Sequence, residues 1–171
     1  MTIPVSVVIT KSNVFTQTFA NIFNLINNRS NVPNPNDISG NIKFVYSHRE
    51  PNFMADNFKG FPLIVIEGIN LSQDNQTANE TKAIVSYEIN LIIMSQDKNS
   101  DGSGNPSGAD TLNSISDNII KTLNANRVSL RNNGMKNMTI NKTDFDWGEA
   151  DGNPIFRREI TLQFSQYQNI L

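Results

Sequence analysis

An alternation of side-chain types over residues 156–164, within a predicted strand at 154–164, constrains the fold more than any other feature of the sequence. Apolar residues and one arginine occupy every second position, and polar residues fill the positions between them. The first set is Phe156, Arg158, Ile160, Leu162 and Phe164, and the second is Arg157, Glu159, Thr161 and Gln163. Because successive side chains of a β-strand point to opposite faces, this pattern predicts a strand with one buried face and one face that meets solvent or a partner.

Four further segments carry strand patterns. Residues 83–94 alternate over a long stretch and predict a second long strand, and residues 42–46 predict a shorter one. Residues 61–66 are apolar on both faces, which is typical of a central, deeply buried strand. Residues 138–147 lead into a turn at 151–153, so they predict a hairpin with the C-terminal strand.

Two segments show the apolar spacing of amphipathic helices. The first covers residues 12–28 and ends before Pro33, which cannot continue a helix. The second begins at Ser107, whose spacing from Asp110 is that of a capping box, and it ends near Asn126. The apolar stripes are Phe15, Phe19, Ile22, Phe23 and Ile26 in the first, and Leu112, Ile115, Ile119 and Leu123 in the second.

These elements predict one α+β domain over residues 1–171. The element order is α-β-β-β-α-β-β, and two amphipathic helices pack on a mostly antiparallel sheet. A chain of 171 residues is long enough to bury one core without disulfides.

The composition argues against several classes of protein. A formal net charge of −2 gives no electrostatic reason to expect nucleic acid or an anionic membrane as the main partner. The absence of cysteine excludes disulfides, thiolate catalysis and cysteine-ligated zinc. The short apolar run at residues 3–9 lacks the basic stretch of a signal peptide, and no segment approaches the roughly 20 apolar residues that span a bilayer. We therefore expect a product that stays in the cytoplasm without a membrane partner.

Residue types that carry catalysis are sparse. His48 is the sole histidine, and no Gly-x-Ser-x-Gly elbow accompanies it, so the sequence does not indicate a Ser-His-Asp arrangement. The glycine-rich stretch 102–108 lies between a strand and a helix, but its third glycine is one position too late for dinucleotide binding. We predict no catalytic residue and no cofactor.

Residues 95–108 predict a polar, mobile loop that contains half of a calcium-binding pattern. Asp97, Asn99 and Asp101 place oxygen ligands on alternate positions, and a glycine follows. The twelfth position is Gly108, where calcium loops require a glutamate that binds through both oxygens. We predict no specific metal site, and a divalent-metal-binding domain or metal-dependent enzyme stays open as the alternative from another class of function.

Asp144 and Asp146 form a second group of acids. They are two positions apart on a predicted strand, so their carboxylates project from the same face. Such a pair could hold a divalent metal or perform acid–base work. Because further acids follow directly, we interpret the group as a solvated acidic face of the hairpin.

The basic residues of the last third are thinly spaced and lack interleaved aromatic residues, which is weak evidence for nucleic-acid binding. They are Arg127, Arg131, Lys136 and Lys142. We interpret them as part of a solvated connection around a turn.

Helix 12–28, strand 61–66, strand 83–94, helix 110–123 and strand 154–164 together form a layout that covers most of the chain. This layout resembles that of the tail terminator and tail-completion proteins of long-tailed bacteriophages. The resemblance rests on patterns and not on a signature motif. It implies a virion protein that stays in the host cytoplasm before assembly and then forms a homohexameric ring on the last ring of the tail tube. Such a ring stops tube growth and presents a surface to the head connector or another neck protein.

The resemblance transfers no catalytic residue, and it implies that DNA passes through the ring without being read. We expect edge pairing and rim contact, with strand 154–164 and loop 95–108 meeting adjacent subunits or the tube. The residues expected at these contacts are Asp97, Lys98, Asn99, Asp101, Arg157 and Glu159, the last two in charge pairs. We expect Asp144 and Asp146 to face the lumen, because like charge keeps a passing polyanion from sticking.

Other readings of the same sequence stay open. Two alternatives belong to the same class of structural phage protein. A tail tube subunit would assemble into long cylinders, and another neck protein would contact different neighbours. An ordinary cytoplasmic binding domain is also compatible, because a fold does not dictate a function.

Overall fold

The computed structural model describes residues 11–35, 43–53, 55, 60–74, 82–97, 107–150 and 153–169. Their secondary-structure elements, in chain order, are α1 (Lys11–Ile26), β1 (Val45–Ser47), β2 (Leu63–Asp74), β3 (Lys82–Gln96), α2 (Gly108–Ala125), α3 (Arg127–Asn132), β4 (Lys136–Ala150) and β5 (Asn153–Asn169). The predicted α+β class is confirmed. Helix α3 was not predicted, and residues 42 and 151–152, which were predicted in a strand and a turn, lie outside the described part.

The five strands form one mixed sheet in the order β1-β2-β3-β5-β4. β1 pairs with β2 in parallel, whereas the other neighbours pair antiparallel. The prediction that strand 61–66 is central was wrong, because β3 occupies that position. Its predicted deep burial is confirmed, since Leu63 to Ile66 are each 0% exposed.

Both predicted helical stripes pack on one face of the sheet. Ile22 and Ile26 of α1 and Ile119 of α2 are 0% exposed, as are Ile89 of β3 and Leu162 of β5 beneath them. Burial of each such side chain contributes on the order of 1.5–3 kcal/mol to folding. The side chain of Phe15, which we predicted in the same stripe, lies outside the described part. We call this covered side of the sheet the helix face.

A second, smaller apolar cluster covers one end of the opposite face. Leu63 and Val65 of β2 pack there with Ile92 and Met94 of β3. Partly buried side chains complete the cluster, namely Tyr46, Phe53, Phe61 and Ile155. This second cluster explains why β2 begins with residues that are apolar on both faces.

The N-terminus of α2 is held at the end of β3. As predicted, Ser107 caps the helix, because its Oγ accepts a hydrogen bond from the backbone N–H of Asp110 at 3.1 Å. The prediction that the loop includes Ser95 was wrong, because β3 continues to Gln96. Ser95 is 1% exposed, and its hydroxyl donates to the carbonyl of Gly108 at 2.5 Å.

The four basic residues of the predicted solvated connection are all exposed, but they lie on a short helix and on a strand instead of in a loop. Residues Arg127–Asn132 form α3, whose Leu130 is buried, and β4 begins at Lys136. Arg127 Nη2 donates to the carbonyl oxygen of Met138 at 2.6 Å and so ties the short helix to β4.

The predicted edge pairing through strand 154–164 is contradicted. β5 pairs with β3 from Ile155 to Asn169 and with β4 from Asn153 to Ser165, so its backbone is engaged on both sides. The hairpin inserts β5, and not β4, beside β3. Of the strands that the structure describes, β4 therefore forms one margin of the sheet, and β1 with the second half of β2 forms the other.

Candidate functional site

The most distinctive surface in the described part of the chain is the sheet face opposite the helices, beyond the small apolar cluster. We call this surface the open face. It carries polar side chains from three adjacent strands: Glu88 and Asn90 of β3, Glu159, Thr161 and Gln163 of β5, and Thr139, Asn141 and Thr143 of β4. The alternation at 154–164 predicted this face, and the burial of Ile160 and Leu162 on the other side confirms that part of the prediction.

Strand register arranges these residues in rows. Glu88 lies beside Gln163, whose Nε2 donates to Glu88 Oε2 at 3.1 Å. Asn90 lies beside Thr161 on one side and Glu67 of β2 on the other. Asn90 is 7% exposed, and its Oδ1 accepts no hydrogen bond within the described part. A buried acceptor without a donor is uncommon in folded proteins.

A shallow depression lies at one end of the open face. Its volume is about 390 Å³, and Ser86, Glu88, Thr139, Gln163 and Ser165 are among the side chains that line it. The lining offers one carboxylate, already hydrogen-bonded to Gln163, together with hydroxyl and amide groups. Such a lining suits contact with a polar surface and provides no nucleophile with an adjacent base.

Arg157 and Glu159 are half-buried on this side of β5. Arg157 Nη2 lies 3.9 Å from Glu50 Oε1 in the same chain, and both side chains are more than a third exposed. Glu159 lies in register between Ile92 and Thr143. The expectation that both residues make charge-paired contacts with another subunit stays a prediction.

Asp144 lies on the helix side of the sheet, in register with Arg158. Arg158 is buried, and its guanidinium donates to Asp144 through Nε. Its Nη1 also donates to Asn113 Oδ1 of α2 at 2.8 Å and to Ser116 Oγ at 3.3 Å. The hydrogen bond from Arg158, together with its charge, holds the pKa of Asp144 below its ordinary value of 3.8.

This ion pair changes the interpretation of the acidic hairpin. The Asp144 side chain is 64% exposed, and its carboxylate accepts a hydrogen bond from a buried cation. The side chain of Asp146 lies outside the described part. Sequence reasoning missed Arg158 as the partner, although a charged residue in an otherwise apolar alternation signals a buried ion pair.

Asp97 joins the two ends of the polar loop. Its Oδ1 accepts a hydrogen bond from the backbone N–H of Gly108 at 2.5 Å, where α2 begins. A carboxylate at a helix N-terminus is also favoured by the helix dipole. We predicted Lys98, Asn99 and Asp101, together with Asp97, at a contact with an adjacent subunit or the tube. These three residues lie outside the described part.

Groups suited to chemistry are sparse in the described ranges. No cluster of three or more His, Asp or Glu side chains that could hold a metal ion occurs among them. The ring of His48 stacks on Phe19 with the two centroids 4.1 Å apart. Within the same ranges, no helix has the length and apolar character needed to cross a membrane.

Comparison with known proteins leaves the family undecided. No protein-family model matches this chain, and no curated protein matches it significantly.

Proposed function

We propose that this chain is a structural, ring-forming protein of a bacteriophage tail or neck, of the tail terminator type. The observation that carries the proposal is the two-sided sheet: helices cover one face, and within the described ranges the other presents a broad polar surface instead of a cleft with clustered chemistry. The confirmed α+β class agrees with the resemblance on which the proposal rests. In this role the ring caps the tail tube, stops its growth and contacts the head connector, while DNA only passes through.

The charge of the open face supports its orientation toward the lumen. Glu67, Glu88 and Glu159 contribute three acids there, whereas Arg157, close to Glu50, and Lys136, in register with Ser165, contribute two bases. A net negative, hydroxyl-rich surface repels the phosphate backbone and offers DNA few specific contacts. We therefore assign the lumen to the open face instead of to Asp144, whose charge is balanced by Arg158.

The proposal is tested by the size of the particles that the purified chain forms. Native mass spectrometry and negative-stain images over a range of protein concentrations should show closed rings with a single subunit number, six by the resemblance. A chain that stays monomeric at every concentration, alone and with tube ends added, would refute the proposal. Long cylinders would instead identify a tube subunit, because a terminator stops after one ring.

Calorimetry with calcium and magnesium separates this proposal from the metal-dependent alternative. We expect no binding tighter than millimolar, since Asp97 is already hydrogen-bonded and Asp144 is ion-paired. Micromolar binding that is abolished by Asp101→Asn or Asp146→Asn would favour the alternative.

A further inference from the structure

The turn that follows α3 contains a pair of residues suited to spontaneous modification. Asn133 is followed by Gly134, and this is the sole Asn-Gly pair in the sequence. In such a pair the backbone nitrogen of the glycine can attack the side-chain amide carbon of the asparagine, because glycine has no side chain to hinder the approach. Asn133 is exposed, so solvent reaches its amide.

The reaction needs no enzyme or cofactor, and its only co-reactant is water. The nitrogen of Gly134 forms a bond to Cγ of Asn133, and its proton leaves with the side-chain NH2 group as ammonia. The product is a five-membered succinimide ring. Water then opens the ring at either carbonyl and gives aspartate or isoaspartate, in which the main chain runs through the former side chain. Both products carry a carboxylate where the chain had a neutral amide.

In the folded chain, a Schellman motif closes the end of α3 and engages the attacking nitrogen. Gly134 takes the left-handed conformation that this motif requires, with φ at 102°. Its N–H donates to the carbonyl of Arg131 at 3.2 Å, and the N–H of Met135 donates to the carbonyl of Leu130 at 3.0 Å. The side chains of Met135 and Leu130 are both buried in the core, which anchors the turn.

The conformation of Asn133 also separates the two reacting atoms. Its ψ of 16° places the nitrogen of Gly134 beside the backbone nitrogen of Asn133, whereas ring closure needs that nitrogen beside Cβ. The side-chain Nδ2 of Asn133 donates to the carbonyl of Ser129 at 3.0 Å, back along the helix. The reaction therefore requires the turn to open and ψ to rotate. Because α3 has six residues and one buried side chain, this opening does not require the sheet to unfold.

We propose that Asn133 is a deamidation site and that local opening of the turn after α3 controls its reaction. The turn packs against β5, since a Cβ at Gly134 would lie 2.6 Å from Nε2 of Gln166. The same nitrogen donates to Oγ1 of Thr18 on α1 at 3.4 Å. An isoaspartate adds an atom to the main chain, so the Schellman motif cannot form again and the turn is released from β5. This inference does not depend on the proposed ring-forming function.

Peptide mapping of the full chain tests the site. The purified protein is incubated at mildly alkaline pH, either folded or unfolded in guanidinium chloride, and is then digested with trypsin. Cleavage after Arg131 and Lys136 isolates residues 132–136, and mass spectrometry measures the fraction in which NH2 has become OH. The peptide 122–127 of the same digest is the internal control, because its asparagines precede alanine and arginine. In the unfolded chain, peptide 132–136 should be modified at least about tenfold faster than this control.

A comparison of rates tests the role of the turn. Asn133 should react at least about tenfold more slowly in the folded chain than in the unfolded chain, because the turn must open first. Met135→Ala removes a side chain that is 2% exposed and should raise the rate in the folded chain alone. Val128→Ala, at a position of α3 that is 73% exposed, is the matched control and should leave the rate unchanged. Because peptide 122–127 reports unfolding of the whole chain, the rise should be confined to peptide 132–136.

Hydrogen exchange on the aged, folded chain tests the release of the turn. The amides of residues 133–136 should lose protection as isoaspartate accumulates, and those of α2 should keep it. Asn133→Gln keeps an amide whose cyclisation would need a six-membered ring, so this variant should age without the loss.

Each part of the inference can fail separately. Equal modification of the two peptides in the unfolded chain would overturn the site. Equal rates in the folded and unfolded chains, or an equal rise of both peptides with Met135→Ala, would overturn control by local opening. Unchanged exchange in the modified chain would overturn the release of the turn. None of these results bears on whether the chain forms rings.

Discussion

The ion pair between Arg158 and Asp144 gives the sharpest test of the described site. We combine Arg158→Met, which keeps the length of the side chain without its charge, with Asp144→Asn in a double-mutant cycle. Breaking a fully buried ion pair costs about 3–5 kcal/mol, whereas a fully exposed pair contributes about 0–1 kcal/mol. Here the Arg158 side chain is 8% exposed and that of Asp144 is 64% exposed, so the pair lies between these limits.

Two features set the expected coupling within that interval. Water still reaches the Asp144 carboxylate and screens the charge, and Asn113 and Ser116 continue to accept hydrogen bonds from Arg158 when the carboxylate is removed. We therefore expect a coupling of about 1–2 kcal/mol at pH 7, measured by chemical denaturation. A change of that size would shift the melting temperature of a chain of this length by roughly 2–8 °C.

The pH dependence has a definite sign. The pKa of Asp144 is lowered in the folded state, so the stabilisation is present above the unfolded pKa and is lost as the pH falls through the folded pKa. The coupling should therefore shrink as the pH is lowered from about 5 toward 2. The control cycle uses Arg157→Met and Glu50→Gln, a half-exposed pair at 3.9 Å, and should give less than about 0.5 kcal/mol. A coupling at Arg158 no larger than this control, or one that does not change with pH, would refute the assignment of a stabilising ion pair.

The junction between β3 and α2 yields the remaining predictions. Gly108→Ala should lower the free energy of unfolding by about 1–3 kcal/mol, because its new Cβ would lie 2.6 Å from the Phe156 ring. Gly148→Ala is the control, since a Cβ there would meet no atom within 4 Å. In thermal melts its free energy of unfolding should stay within about 0.5 kcal/mol of the natural chain. Ser107→Ala should lower the free energy of unfolding by about 1 kcal/mol, because the N-cap of α2 is lost. An unchanged midpoint in urea denaturation would contradict this role of Ser107. Asp97→Asn should lower the melting temperature without changing calcium binding in calorimetry, whereas a loss of tight calcium binding would contradict its role as a loop tie.

Local burial patterns explain which parts of the fold could be predicted from the sequence. β3, β5 and the two long helices each bury one continuous face, so their periodicity is visible in a single segment. α3 has six residues and one buried side chain, Leu130, which is too little for a periodic signal. The choice of β5 as the interior strand depends on which half of the hairpin meets β3, and that contact is not encoded within either strand.

The same distinction applies to the candidate site. The polar half of the 154–164 alternation predicted an open face, but the neighbours of each residue depend on the register of β5 with β3 and β4. To predict the ion pair between Asp144 and Arg158 requires that register and also the position of α2, whose Asn113 accepts a hydrogen bond from Arg158. Asp97 stood out because it begins a calcium-like pattern, for which we predicted no specific metal site, whereas its hydrogen bond to Gly108 depends on how closely β3 and α2 approach.

Protection of the sheet margins links the fold to the proposed assembly. Exposed strand edges invite unselective pairing, and proteins limit this with bulges and with charged side chains, especially lysine. β4 carries both devices: register shifts at each end of residues 139–145, and Lys142 within that run. Asp144 lies in the same run and on the same side of the sheet as Lys142, so the segment carries charges of both signs. β4 is therefore protected against unselective pairing, which suits a chain proposed to assemble into closed rings instead of open aggregates.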